Sequence, residues 1–251
     1  MKNLLVLAAT AAASSSFAQV NFTGASYFQD FNTLSPTGAA NPWSDNSTLL
    51  GWYVNAGTAT YEADDGTSIA TGMKSYGDAA GPQAFERALG SRVIWPATFS
   101  SGLRLTNISG NTLGSITLDY FGEQWFGGSL QNVSDVIVFN HSANATALNN
   151  GAWTNVSALN FTAPIQNFTG ALNGNLAANR TLKSATISGL NWTNGTDMWL
   201  RWTHTGAERQ GLAIDEVHIT GAPVPEPFTM ALAASALGLA LRRRSAKVSQ
   251  S

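Results

Sequence analysis

Between residues 19 and 221, apolar residues come in short runs. Clusters of Gly, Asn, Ser and Thr interrupt them about every eight to twelve residues, the rhythm of short strands in a sandwich or barrel. Ser115–Tyr120 alternates, placing Ile116, Leu118 and Tyr120 on one face. Asp197–Thr203 puts Met198, Leu200 and Trp202 on one face, and Trp199 and Arg201 on the other. Val136–Phe139 is apolar at every position and predicts a central strand. Leu212–Ile219 changes phase: Leu212 and Ile214 share one parity, Val217 and Ile219 the other. Both pairs can face inward only if one extra residue sits between them, so Asp215-Glu216 predicts a β-bulge. The best helix signal, Pro82–Leu89, is stopped at once by Gly90. No repeat of fixed period appears. The pattern predicts an all-β sandwich or barrel.

Two segments fall outside this pattern and divide the chain into 1–18, 19–221 and 222–251. Met1-Lys2-Asn3 is a charged start, Leu4–Ala13 an apolar stretch, and Ser16-Phe17-Ala18 a small-x-small site. In that order they predict a secretory signal peptide cut between Ala18 and Gln19. At the other end, Pro223-Val224-Pro225-Glu226-Pro227 precedes the uncharged run Phe228–Leu241 and then Arg242, Arg243 and Arg244. As a helix that run spans about 21 Å, short of a ~30 Å hydrocarbon core, although arginines at its end can snorkel to the headgroups. The positive-inside rule keeps Arg242–Arg244 in the cytoplasm, with the passenger outside and the tail in the inner membrane.

Charge changes the picture of partners. The passenger carries 8 Lys and Arg against 14 Asp and Glu, a net −6. A chain this acidic, without a basic run, is repelled by phosphate backbones and anionic membrane surfaces, so nucleic acid is excluded as a partner. With no cysteine there are no disulfides, thiolate metal sites or cysteine nucleophiles. Charged residues are only 11% of the chain, and Asn, Thr, Ser and Gly supply the polar surface. Asn-x-Ser/Thr recurs from Asn21 to Asn194, and reads as turns and a soluble low-charge surface.

Pro225-Glu226-Pro227, a short apolar helix and a terminal arginine cluster together resemble the PEP-CTERM sorting signal. The resemblance implies recognition by an exosortase, a membrane-embedded transpeptidase-like enzyme, and cleavage near the motif. It implies signal peptidase as the other partner in export, and transient residence in the inner membrane through the C-terminal helix. The destination it implies is the cell surface or extracellular matrix of a Gram-negative bacterium, beside exopolysaccharide. Within the passenger, Phe28–Leu34, Gly51-Trp52-Tyr53, Arg87–Ser91, Gly122-Glu123-Gln124-Trp125 and Gly211–Asp215 resemble a recurring passenger of PEP-CTERM proteins. This implies a jelly-roll-like sandwich of two antiparallel sheets, similar to lectins and carbohydrate-binding modules, and lends no catalytic residue.

Candidate chemistry is sparse. His141, His204 and His218 form no H-E-x-x-H pair, and neither a G-x-S-x-G elbow nor a P-loop occurs. Glu62, Asp64 and Asp65 read as a solvated acidic turn, and Asp119 and Glu123 as similar surface acids. Paired carboxylates about 5–10 Å apart across a cleft would instead serve glycoside hydrolysis. Jelly-roll modules often hold a structural calcium, and Asp215, Glu216 and Asp30 are the candidate ligands, since two or three acids with carbonyls and water satisfy that ion. The eight tryptophans read mostly as core. Trp199, beside Arg201, is the expected exposed ring and glycan-binding candidate. The leading expectation is a non-catalytic, surface-exposed glycan-binding sandwich. The alternatives are a secreted carboxylate-dependent glycan hydrolase and a purely structural matrix component.

Overall fold

The computed structural model describes residues 19–55, 60–78, 85–128, 132–206 and 209–225. Ala18, Glu226, Pro227 and Arg242–Arg244 lie outside the described residues. Among those described, no helix is long and apolar enough to cross a membrane.

The chain folds as a jelly-roll-like sandwich of two sheets. The first has seven strands. It orders β1 (Val20–Phe22), β8 (Phe99–Asn107), β15 (Asp197–Thr205), β10 (Val136–Ser142) and β11 (Thr154–Asn155). β4 (Trp52–Val54) also pairs with β8, and β12 (Phe161–Thr162) with β10. The second has nine strands. It orders β13 (Gly170–Ala171), β9 (Leu113–Gly127), β16 (Gly211–Pro223), β7 (Ala88–Arg92), β6 (Gly72–Tyr76), β5 (Thr60–Asp64) and β3 (Asn41–Pro42). There β14 (Arg180–Trp192) also pairs with β9, and β2 (Tyr27–Gln29) with β16. The sheets are mostly antiparallel, but β1–β8 and β5–β6 are parallel, so both are mixed.

The alternation read from the sequence holds in β9, where Ile116, Leu118 and Tyr120 are buried in the main core. β10 is paired on both sides, by β15 and by the two-residue strands β11 and β12, but it is not buried on both faces: Ile137 and Phe139 enter the core, while Val136 and Val138, on the other face, are only half-buried. The expected helix at Pro82–Leu89 is not formed where the structure describes it: Ala88 and Leu89 belong to β7, paired between β6 and β16. Two neighbouring strands supply more backbone pairing and apolar cover than a single isolated helical turn.

Aromatic rings hold the sheets together. Trp202 of β15 stacks on Trp52 of β4 at 5.4 Å and meets Tyr120 and Phe139 edge-on at 5.9 and 5.2 Å. The Trp52 indole N–H donates to the Tyr27 hydroxyl at 2.8 Å, tying the first sheet to β2 of the second. Burial pushes the Tyr27 phenol up to about 12, so it is neutral and a dependable acceptor. Tyr27→Phe is expected to leave that buried N–H without a partner and cost about 1–3 kcal/mol, read as a lower midpoint in urea unfolding.

The bulge lies where the sequence places it. The β16–β9 register slips between Asp215 and His218, and Glu216 takes φ +50°. Leu212, Ile214, Val217 and Ile219 all end up buried. The slip coincides with a change of neighbour on the other edge, from β7 through Ile214 to β2 from Val217.

The outer face of the second sheet is also covered. The 64–71 turn and the 172–179 loop fold over it, with Leu172 N–H donating to the Trp125 carbonyl at 2.8 Å. At Gly66 (φ +89°) a Cβ would sit 2.2 Å from that carbonyl, so this turn requires glycine. A small second core forms beneath, where Tyr76 and Trp125 stack at 5.6 Å beside Ala88 and Ala213. The chain's two described ends meet at one pole, flanking the turn between β8 and β9. Ile108 N–H donates to the Phe22 carbonyl and Val224 N–H to that of Thr112, each at 2.9 Å.

Candidate functional site

The first candidate is a groove on the outer face of the first sheet. Tyr53 lies opposite Gly102 on β8, where no side chain intervenes, and Trp199 lies opposite Arg104 on the same strand. The two rings meet at 4.8 Å and 49°. The 143–153 loop folds over them, and an open cavity of about 280 Å³ remains. Tyr53, Val54, Leu148 and Trp199 give its apolar lining, and Asp45, Asn55, Thr146 and Asn149 its polar lining. Asp45 is fixed, accepting from Trp43 Nε1 at 2.7 Å and from Val54 N–H at 3.0 Å.

Strand parity placed Trp199 opposite the core correctly, but its expected exposure is corrected. It is 2% exposed, covered by Ala145, Leu148, Tyr53 and Trp153. Its indole N–H is buried and finds no acceptor. Arg201, beside it, is half-buried. It donates to the Leu148 carbonyl at 2.7 Å and lies 3.9 Å over the Trp153 ring, bracing the loop. Burial lowers its pKa. Six of the eight tryptophans are buried, Trp153 is half-buried, and the exposed ring is Trp95 at 72%.

The second candidate is a group of acids on the outer face of the second sheet. Glu123 of β9, Asp215 of β16 and Glu86, just before β7, each bring an oxygen within 4.8 Å of the others. Glu123 and Asp215 are 0% and 2% exposed. Burial, then Glu86, pushes the Glu123 carboxyl up to about 8, although Trp125 Nε1 donates to it at 3.0 Å. Burial, then the Glu123 charge and contact with Glu86, pushes Asp215 up to about 10.

The structure does not bring the expected ligands Asp215, Glu216 and Asp30 together. At φ +50° the backbone turns the neighbouring Glu216 away; it is exposed and 3.7 Å from Arg180. Asp30 instead accepts from Asn32 N–H at 3.2 Å, closing a turn after β2. The expected solvated turn at Glu62, Asp64 and Asp65 also splits. Asp64 is buried, and both it and Glu62 pair with the fully buried Lys74, whereas Asp65 caps an exposed turn by accepting from Thr67. Asp119 sits on the surface, 3.7 Å from His218. Of the other histidines, His204 is buried against Ser91, and burial lowers the pKa of His141. Gln19 lies beside β8, its side chain 3.0 Å from the Thr106 hydroxyl.

These features define an all-β sandwich with an aromatic-floored groove on one sheet and a buried acid cluster on the other. No protein-family model matches the chain, and no curated protein matches it. Among solved structures it is similar to a cleaved adhesin domain of Lys-gingipain from Porphyromonas gingivalis. The identity is 13% and the TM-score 0.41, covering 70% of this chain and 96% of that one. It is also similar to TmCBM27, a carbohydrate-binding module studied for specific mannan recognition, at 11% identity and TM-score 0.39, covering 78% and 96%. A third is an arabinose-bound α-L-arabinofuranosidase, at 11% identity and TM-score 0.42, covering 81% of this chain and 29% of that one.

Proposed function

We propose that this protein is an exported, exosortase-sorted component of the cell surface or extracellular matrix, whose sandwich binds glycan in the Tyr53–Trp199 groove. The observation that carries the binding reading is the groove itself. An open cavity of about 280 Å³ joins the half-buried Tyr53 ring, over a floor made by the buried Trp199, to four polar side chains. Aromatic faces pack against sugar rings, while Asn, Thr and Asp side chains match hydroxyls. Exopolysaccharide is the partner this chemistry suits. The role is binding rather than hydrolysis: Asp45 is the one carboxylate in the groove lining, and glycoside hydrolysis takes two. Export and sorting rest on the signal-like start and on the Pro225-Glu226-Pro227, apolar and arginine segments.

Two experiments test these parts. Tyr53→Ala is expected to weaken retention on the native exopolysaccharide at least tenfold without lowering the unfolding midpoint by more than a few degrees, and no reducing ends should be released. Unchanged retention in Tyr53→Ala and in Asn55→Ala/Asn149→Ala would sink the groove as the binding site. For sorting, replacing Pro225, Glu226 and Pro227 by alanine is expected to leave an uncut tail in the inner-membrane fraction. Normal appearance of that variant at the surface would remove the exosortase from the reading.

A further inference from the structure

The groove leaves the acid cluster on the opposite sheet without a role. Glu86 Oε2, Glu123 Oε1 and Asp215 Oδ1 are all buried, and none accepts a hydrogen bond. Leaving one buried acceptor unpaired costs about 1–3 kcal/mol, and more when it is charged. The acids that carry them each bring one oxygen within 4.8 Å of the others, an arrangement suited to a cation. We propose that Glu86, Glu123 and Asp215 bind a calcium ion.

The geometry fits that ion. Oxygens bound to one Ca²⁺ at about 2.4 Å can be no more than about 4.8 Å apart, and each of the three acids brings one oxygen within that limit of the others. The donors are carboxylates, which favours a hard cation over the nitrogen- and sulfur-seeking zinc. Mg²⁺ holds its ligands at about 2.0–2.1 Å and demands near-octahedral order, a poor match for acids supplied by β9, the bulge of β16 and the approach to β7. Arg180 lies beside the acids, 3.6 Å from Glu123 Oε1 and 3.7 Å from Glu216 Oε2, and stacks 3.7 Å over Phe121. Its Nε and Nη2 make no hydrogen bond, so it does not satisfy the cluster.

The local fold presents the acids in this way for identifiable reasons. β9 and β16 pair Glu123 with Ala213, which brings Asp215 to the same outer face. The bulge then turns Glu216 outward, so Asp215 alone of the two adjacent acids faces the cluster. The covering loops keep water out, which strengthens an ion's hold on its ligands. Protons are the competing occupants, since burial raises both Glu123 and Asp215 in the cation-free protein.

Trp125 supplies the reporter for the test. Its indole N–H donates to Glu123 Oε2 at 3.0 Å, close enough to sensitise a lanthanide bound in calcium's place. Excitation of tryptophan in the chelator-stripped full chain at pH 8 is expected to give terbium emission that calcium displaces with 1:1 stoichiometry. Calcium should also raise the melting temperature by at least 5 °C over the protein in chelator. Glu123→Gln and Asp215→Asn, which keep shape and remove charge, should each lose both responses while still melting cooperatively. If either variant fails to fold, Glu86→Gln at the half-buried edge of the site is expected to weaken calcium at least tenfold. Absence of sensitised emission and of any thermal shift in the parent protein overturns the proposal. So does an equal shift with magnesium, or a calcium response that survives in Glu86→Gln and in whichever of the other two variants folds.

Discussion

Deleting Glu216 is expected to abolish cooperative folding. β16 is the central strand of the larger sheet, paired with β9 along most of its length, with β7 on its first half and with β2 on its second. Its buried residues change parity across the bulge, with Leu212 and Ile214 before it and Val217 and Ile219 after it. Removing the inserted residue forces one pair onto the outer face, because side chains alternate with a period of two. Two aliphatic side chains leaving the core forfeit about 1.5–3 kcal/mol each, and the β2 pairing loses its register as well. A total near the stability of a whole domain follows. The measurement is far-UV circular dichroism against temperature, and a sigmoidal transition within a few degrees of the parent would refute the reading. Glu216→Gly is the control. It keeps the residue count and relieves a φ of +50°, so it should fold with unchanged or slightly higher stability.

Lys74→Met is expected to cost about 3–5 kcal/mol. Lys74 is fully buried on β6, where it donates to Glu62 and lies 3.4 Å from Asp64 Oδ2. Methionine fills the same space but leaves two acids beside one another, one of them buried. Asp64 cannot simply move away, because its other oxygen accepts from Gly66 N–H at 2.9 Å and from Ser68 N–H at 3.1 Å, shaping the turn that covers Trp125. The companion Lys74→Met/Glu62→Gln/Asp64→Asn should recover most of the loss, since asparagine keeps the turn-shaping oxygen. Urea unfolding of both variants checks the claim. Equal destabilisation in the two would mean that lost packing, not stranded charge, is the cause.

Local alternation carried the parts of this fold that depend on one strand at a time. Ile116, Leu118 and Tyr120 face the core as their spacing requires, the phase change at Asp215-Glu216 is a bulge, and Trp199 and Trp202 take opposite faces. What spacing could not supply was cover by a distant segment. Trp199 points away from the main core yet is buried, because the 143–153 loop returns over it. Lys74 reads as a surface residue until β5 brings Glu62 and Asp64 alongside. The acid cluster was hidden for the same reason. Sequence adjacency joined Asp215 to Glu216, whereas the bulge separates them and sheet pairing brings Glu123 and Glu86 instead. A signal did exist: the phrases Arg87–Ser91, Gly122–Trp125 and Gly211–Asp215, noted as resemblances, lie on the adjacent strands β7, β9 and β16.

The proposed sorting tail would leave the sandwich at the pole where both described ends meet the turn between β8 and β9. A molecule held through that tail would be held by that pole. β8 runs from there for nine residues, about 30 Å, to the opposite tip, where Trp95 stands out from the 93–98 loop. The Tyr53–Trp199 groove lies on the flank between. Held in that way, the molecule would offer the proposed groove on its flank to a long polymer and leave its tip free for a second contact.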